Sequence, residues 1–193
     1  ARRSASRVGS MAATRGETRL DGLVLVEPQV HGDSRGFFLE TYARDEWKGL
    51  GVDADFVQQN HSRSSHGTLR GLHFQTSPGQ AKLLRCARGE ILDVAVDLRK
   101  DSPTFGQWES HRLDDEQGHQ LYVPIGFAHG FVVLSEVADV CYQVSSLYDP
   151  ATEKGIAWDD PEIGVDWQVS DPLLSERDKT APRLSEVADS LPW

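Results

Sequence analysis

The chain has 193 residues, 38% of them hydrophobic and 26% charged, which suits one sizeable buried core. No apolar run approaches the roughly 20 residues of a membrane span, and the start lacks the apolar stretch of a signal peptide, so a cytoplasmic protein with no membrane partner is expected. A formal net charge of −10 excludes non-specific nucleic-acid binding, which needs excess Lys and Arg to displace counterions; an anionic small substrate would require a local cluster of cations, with Arg35, Arg63, Arg70 and Lys82 the positions to trace.

In chain order, residues 1–15 are expected to form a flexible extension, beginning with the Arg- and Ser-rich stretch ahead of the only methionine, Met11. Residues 16–193 are expected to form a single domain. From Leu20 to about residue 148 the pattern is a series of short β-like runs broken by Gly, Pro, Asn, Asp and Ser, as in a sandwich or barrel. Strands are predicted over Gly36–Thr41, Ala81–Ala87, Gln107–Leu113, Phe127–Leu134 and Ala138–Ser146, with turns at Ser102-Pro103 and Asp149-Pro150. In Glu90–Leu98 the even positions are all apolar while Asp93 and Asp97 face the other way, which predicts a half-buried strand. Helical signal is confined to Ala43–Leu50, ended by Gly51, and to a turn near Ser185–Ser190. From about residue 148 the chain loses its periodicity, and Trp158 and Trp167 predict a wrap packed on the barrel. Cys86 and Cys141 lie far apart in apolar runs, as small buried side chains rather than a disulfide framework or zinc site.

Two constellations could carry chemistry. The first comprises Gln58-Gln59-Asn60-His61-Ser62-Arg63, Arg70-Gly71-Leu72-His73-Phe74-Gln75 and Gln80-Ala81-Lys82. A solvated face would explain any one of these residues. Together they put amide, imidazole, guanidinium and ammonium groups where a structural strand would alternate polar with apolar, which predicts a polar pocket. The odd spacing of Arg70 and His73 would aim them at opposite faces of a regular strand, so a shared pocket requires a bulge, and Gly71 is placed to supply it.

The second constellation, Gly118 to Gly130, contains the Gly-x5-Pro-x-Gly-x2-His spacing that ends in His129. This resembles the second motif of the cupin superfamily and implies an all-β, double-stranded β-helix (jelly-roll) barrel with a few short peripheral helices. Metal-binding cupins supply His-x-His and a Glu from the first motif. Here the corresponding place reads His73-Phe74-Gln75 without a suitably spaced Glu, so the expected site holds no metal. Acid–base work would then fall to side chains such as His73, and to Tyr142, whose neighbours Ala138, Val140 and Val144 place it on an inward face.

With Asp33-Ser34-Arg35-Gly36-Phe37-Phe38-Leu39-Glu40 and Leu174-Ser175-Glu176-Arg177-Asp178 added, the chain resembles the dTDP-4-dehydrorhamnose 3,5-epimerase family from about Gly22 to Ser185. The resemblance implies inversion of carbons 3 and 5 of a dTDP-linked 4-keto-6-deoxyhexose, with no metal or redox cofactor. It implies His73 as base oriented by Asp178, Lys82 beside the carbonyl oxygen and Tyr142 as the acid on the opposite face. Arg35, Phe38 and Glu40 are implied in nucleotide binding across a homodimer interface, and Gln58, Asn60, Arg70, His129 and Tyr148 in contacts to diphosphate or sugar. An epimerase acting at only one of the two carbons would share these motifs, and a metal-dependent cupin enzyme is a remoter alternative.

Overall fold

A computed structural model describes residues 13–193. Its strands are β1 (Thr14–Gly16), β2 (Val24–Glu27), β3 (His31–Asp33), β4 (Gly36–Phe38), β5 (Gln58–Ser65), β6 (Leu69–Gln75), β7 (Lys82–Arg88), β8 (Glu90–Asp97), β9 (Trp108–Asp114), β10 (Gln120–Val123), β11 (Phe127–Val133), β12 (Val137–Val144) and β13 (Glu153–Gly155). The helices are short: α1 (Arg44–Leu50), α2 (Glu176–Lys179) and α3 (Leu184–Val187), with a 3₁₀ turn at Ala188–Ser190. The architecture is the all-β jelly roll. A six-stranded sheet in the order β1-β2-β10-β7-β12-β5 faces a five-stranded sheet in the order β13-β6-β11-β8-β9, with antiparallel pairing throughout. No helix among the described residues is long and apolar enough to cross a membrane.

The space between the sheets is filled at one end and hollow at the other. Leu84, Cys86, Ile91, Ala95, Leu121, Phe131, Ala138 and Val140 pack into one interior cluster. Two residues further along the same inward rows stand Lys82 on β7 and Tyr142 on β12, which border a cavity instead. A row of alternate strand positions can thus pass from core to site without changing face.

Each sheet also has an outer cover. The indole of Trp47 on α1 is fully buried against Val24, Val26, Leu83 and Tyr122 of the six-stranded sheet. Gly51, at a φ of 108°, ends this helix with backbone bonds to Trp47 and Lys48, a left-handed cap that glycine adopts without steric cost. On the five-stranded sheet Ile156, Ile163, Trp167, Leu184 and Leu191 pack over Leu69, Leu72, Leu92 and Val94, and Trp167 donates its indole N–H to the Trp158 carbonyl at 2.7 Å.

Three expectations are corrected. The strand Glu90–Leu98 is buried on both faces: the C-terminal segment covers Leu92, Val94, Val96 and Leu98, while Asp93 and Asp97 share the inward face with Ile91 and Ala95 and lie at 0% exposure rather than in solvent. Gly36–Thr41 yields only β4, paired with β3 in an exposed two-stranded ribbon outside both main sheets. The boundary after residue 15 falls too late: Thr14 and Arg15 pair with Glu27 and Val26, and Ala13 is buried, because an unpaired edge at β2 has backbone groups to satisfy. The rest of the expected extension lies outside the described residues.

The interruption at Gly71 is present. His129 pairs with His73 and Phe131 with Arg70, so one residue of β11 faces two of β6. Leu69, Leu72 and Phe74 join the outer cluster, while Arg70 and His73 both border the cavity. Gly71 has a φ of 136°, and a Cβ there would lie 2.5 Å from Gly130 Cα and 2.9 Å from the His129 carbonyl. Gly71→Ala is expected to lower stability by about 2–4 kcal/mol, through a backbone clash and a φ that L side chains avoid. A lower midpoint of urea unfolding at unchanged m value would register it.

Candidate active site

The hollow end is a cavity of about 490 Å³ whose two walls come from different sheets. From the five-stranded sheet come Arg70 and His73 on β6 and His129 on β11. From the six-stranded sheet come Gln58 and Asn60 on β5, Lys82 on β7 and Tyr142 on β12. Tyr148, Glu153, Ser175, Arg177 and Asp178 complete the lining from the C-terminal segment.

His73 is fixed by a carboxylate. Its Nε2 lies 2.5 Å from Asp178 Oδ1, and Ser175 Oγ donates to the other oxygen, Oδ2, at 2.9 Å. Ser175 is also the N-cap of α2, accepting from the Asp178 backbone N–H, so a single residue both starts the helix and orients its carboxylate. The segment is held against β6 by backbone bonds from Leu69 N–H to the Leu173 carbonyl and from Leu173 N–H to the Gly67 carbonyl. Burial pushes the Asp178 carboxyl up, but the hydrogen bonds from His73 and Ser175 and the charges of His73 and Arg177 outweigh it and hold it below the usual range. With Nε2–H donating to a carboxylate, Nδ1 of His73 is the nitrogen left to accept a proton.

His129 forms a second such pair, with Nε2 at 2.8 Å from Asp93 Oδ2. Both residues are buried, and burial holds the imidazole below its ordinary pKa despite the opposing Asp93 charge, so it is neutral near pH 7. His73 and His129 are cross-strand partners, yet each commits its Nε2 to its own carboxylate. Among the described residues no group of three or more His, Cys, Asp or Glu side chains is arranged to hold a metal ion.

On the facing wall, burial drives the Lys82 ammonium down to about 8, against the opposing attraction of Glu153 and Asp93. Its Nζ lies 3.5 Å from the His73 carbonyl oxygen. Tyr142 has its hydroxyl pKa raised, first by burial and further by Glu153, while Arg70 and Asn60 pull it back in part. It therefore carries its proton at neutral pH.

The cavity brings together eight of the residues singled out from the sequence besides Asp178: His73, Lys82, Tyr142, Gln58, Asn60, Arg70, His129 and Tyr148. It does not include Arg35, Phe38 or Glu40. Arg35 and Phe38 stand on the exposed β3–β4 ribbon, where Arg35 pairs only with Asp33 among the described residues and Phe38 is 60% exposed.

Sequence reasoning missed Asp93, Glu153 and Arg177 as site residues. The nearly unbroken apolar run around Asp93 is the signature of a strand buried on both faces, which would have flagged its carboxylate as needing a partner. Arg177 adjoins Asp178 in a motif already noted. Glu153, 2.6 Å from Arg177, sits in an aperiodic segment with no local signal and arrives only through the pairing of β13 with β6.

A family model described as dTDP-4-dehydrorhamnose 3,5-epimerase matches residues 17–186. The chain belongs to this family. The dTDP-4-dehydrorhamnose 3,5-epimerase of Pseudomonas aeruginosa is 48% identical over 184 residues, covering 94% of this chain and 100% of that protein. A solved Legionella pneumophila dTDP-6-deoxy-D-glucose-3,5-epimerase, in complex with dTDP-4-keto-L-rhamnose, is similar with a TM-score of 0.90 and 43% identity, covering 93% of this chain and 97% of that one. A dTDP-4-dehydrorhamnose 3-epimerase of Streptomyces niveus is 43% identical, covering 89% and 84%.

Two outcomes are expected from this geometry. Asp178→Asn should lower kcat/KM by about 10²- to 10⁴-fold with little change in the circular dichroism spectrum, since the amide can no longer hold the imidazole tautomer. The kcat/KM of the unmodified enzyme should fall as pH rises past about 8, where Lys82 loses its charge. In Lys82→Arg, whose guanidinium stays charged, any residual activity should lack that alkaline limb.

Proposed function

We propose that the protein epimerises dTDP-4-dehydro-6-deoxy-D-glucose at C3 and C5, giving dTDP-4-dehydro-L-rhamnose. The observation that carries the reading is the placement of a carboxylate-bound His73 and a protonated Tyr142 on opposite sheets, with Lys82 in the same cavity. Inversion at carbon needs that opposition: a proton leaves from one face and another must arrive on the other.

Carbons 3 and 5 both flank the C4 ketone, so loss of either proton gives an enolate. Nδ1 of His73 takes the proton. Negative charge gathers on the C4 oxygen, where the Lys82 ammonium stabilises it in a site shielded from water. The Tyr142 hydroxyl then delivers its proton to the same carbon from the facing wall, and exchange with solvent restores both groups. Neutral His129, its Nε2–H held by Asp93, can accept a hydrogen bond at Nδ1 without adding charge.

The same reading assigns Arg70, Gln58, Asn60 and Tyr148 to the sugar and diphosphate. Arg70 is apt because a guanidinium fork gives paired, charge-assisted bonds to phosphate oxygens. Arg35, Phe38 and Glu40 are assigned to the nucleotide in the cavity of a second copy of the chain, which makes the working unit a homodimer; the support is the exposure of the ribbon that carries Arg35 and Phe38, with Glu40 just beyond it. The location that goes with this substrate is the cytoplasm.

The Streptomyces niveus relative, named as a 3-epimerase, favours a second reading in which only one carbon is inverted. Turnover in D2O separates the two. Deuterium at both C3 and C5 is expected, and label at one carbon alone would replace the double epimerase by the single one. Tyr142→Phe should still wash deuterium into the starting sugar through His73 while forming inverted product at least about 10²-fold more slowly.

A further inference from the structure

The inner face of β5 presents four polar side chains in a row: Gln58, Asn60, Ser62 and Ser64. Three have partners. Gln58 donates to Asn60 Oδ1 at 2.8 Å, and Arg70 Nε donates to Ser64 Oγ at 3.0 Å. Ser62 borders the cavity, yet its Oγ is closed off from solvent and has no hydrogen-bond partner among the described residues.

A buried hydroxyl left unmatched costs free energy in the empty protein, and a buried polar group without a partner calls for an explanation. Position supplies one. In the register of β5 with β12, Asn60 lies opposite Tyr142 and Ser62 opposite Val140, one step deeper towards the packed end of the barrel. Apart from Arg70, which spends its Nε on Ser64, the side chains that flank Ser62 in the cavity, Leu84, Phe131 and Val140, are apolar and offer no hydrogen bond. A ligand hydroxyl reaching beyond Tyr142 would meet Ser62, between Asn60 and the guanidinium of Arg70.

We infer that Ser62 is a specificity residue, whose hydroxyl turns about its single side-chain torsion to hydrogen-bond one of the two ring hydroxyls of the hexose. The inference rests on the epimerase reading and goes beyond it by naming what the inner end of the cavity recognises. The hexose rather than the nucleotide is assigned because Ser62 adjoins Asn60, the register partner of Tyr142, the group assigned to deliver a proton to the sugar. A site built to bond a hydroxyl rejects an analogue lacking it more strongly than an apolar pocket rejects a changed methyl group.

The test compares the full-length protein with Ser62→Ala and Ser62→Cys in three assays: thermal melting, binding of dTDP, and turnover of dTDP-4-dehydro-6-deoxy-D-glucose. Ser62→Ala should melt at or slightly above the wild-type temperature and bind dTDP as wild type does. Its kcat/KM should fall about 5- to 30-fold, the loss of one buried neutral hydrogen bond. Ser62→Cys, similar in size but a weak donor, should fall between the two. With the 2-deoxy and 3-deoxy substrates, wild type and Ser62→Ala should converge for whichever analogue lacks the bonded hydroxyl. Unchanged kcat/KM in Ser62→Ala overturns the proposal, as does an equal loss of dTDP affinity, which would mark a structural role. Absence of deuterium incorporation by the wild type would instead remove the epimerase reading itself.

Discussion

The site depends on one break in strand alternation. A regular β6 would send Arg70 and His73 to opposite faces, and only one could meet a substrate between the sheets. The bulge at Gly71 turns both inward while Leu69, Leu72 and Phe74 still seal the outer layer. The close approach of β11 at Gly130 makes this possible only without a side chain: a Cβ on Gly130 would in turn lie 2.8 Å from the Arg70 carbonyl. Two glycines on neighbouring strands, neither lining the cavity, thus decide that an imidazole and a guanidinium share it. The same strand anchors the segment before α2 and receives β13, so Asp178 and Glu153 also take their places from it.

Charge within the cavity follows from pairing. Each carboxylate is matched to a base: Asp178 to His73, Asp93 to His129, Glu153 to Arg177. Lys82 and Arg70 make no ion pair among the described residues; Lys82 meets only a carbonyl and Arg70 spends its Nε on Ser64. Two cations therefore remain for an anionic ligand in a protein of net charge −10, one buried near the proton-transfer groups and one exposed at the mouth. The acidic surface and the anionic substrate are reconciled locally. Nothing about the overall balance predicts it, because steering depends on where charges lie in the cleft rather than on their sum.

Much of this was legible in the sequence, for particular reasons. Alternation placed Lys82 in line with Leu84 and Cys86, and Tyr142 in line with Val140, because period two is fixed by backbone geometry. The odd spacing across Gly71 foretold the bulge. What failed were features set by distant packing. The apparent half-buried strand at Glu90–Leu98 is buried on both faces, one by the opposite sheet and the other by a segment some sixty residues later, roughly the span from Asp93 to Ile156 and beyond. Glu153 enters the cavity through an edge pairing that its neighbours do not encode. The run Gly36–Thr41 has strand composition but no sheet to join; its aromatic residues stay exposed on a ribbon, as residues kept for another surface would be.

The two-sheet architecture and the chemistry are separable, and their separation explains the form of the site. A jelly roll offers opposed inner walls whatever it does with them, and fold alone assigns no reaction. Cross-strand histidines such as His73 and His129 could serve as the beginning of a metal set, but here a buried carboxylate behind each imidazole fixes its tautomer instead. Under the proposed function, that commitment makes His73 a base and leaves His129 a neutral hydrogen-bonding group. It also makes the facing wall matter. A metal site can gather its donors on one side, whereas inversion at carbon requires an acid across the cavity, and the proposal gives that part to Tyr142 because β12 lies at the centre of the opposite wall with its inward row passing from core to cavity at that residue.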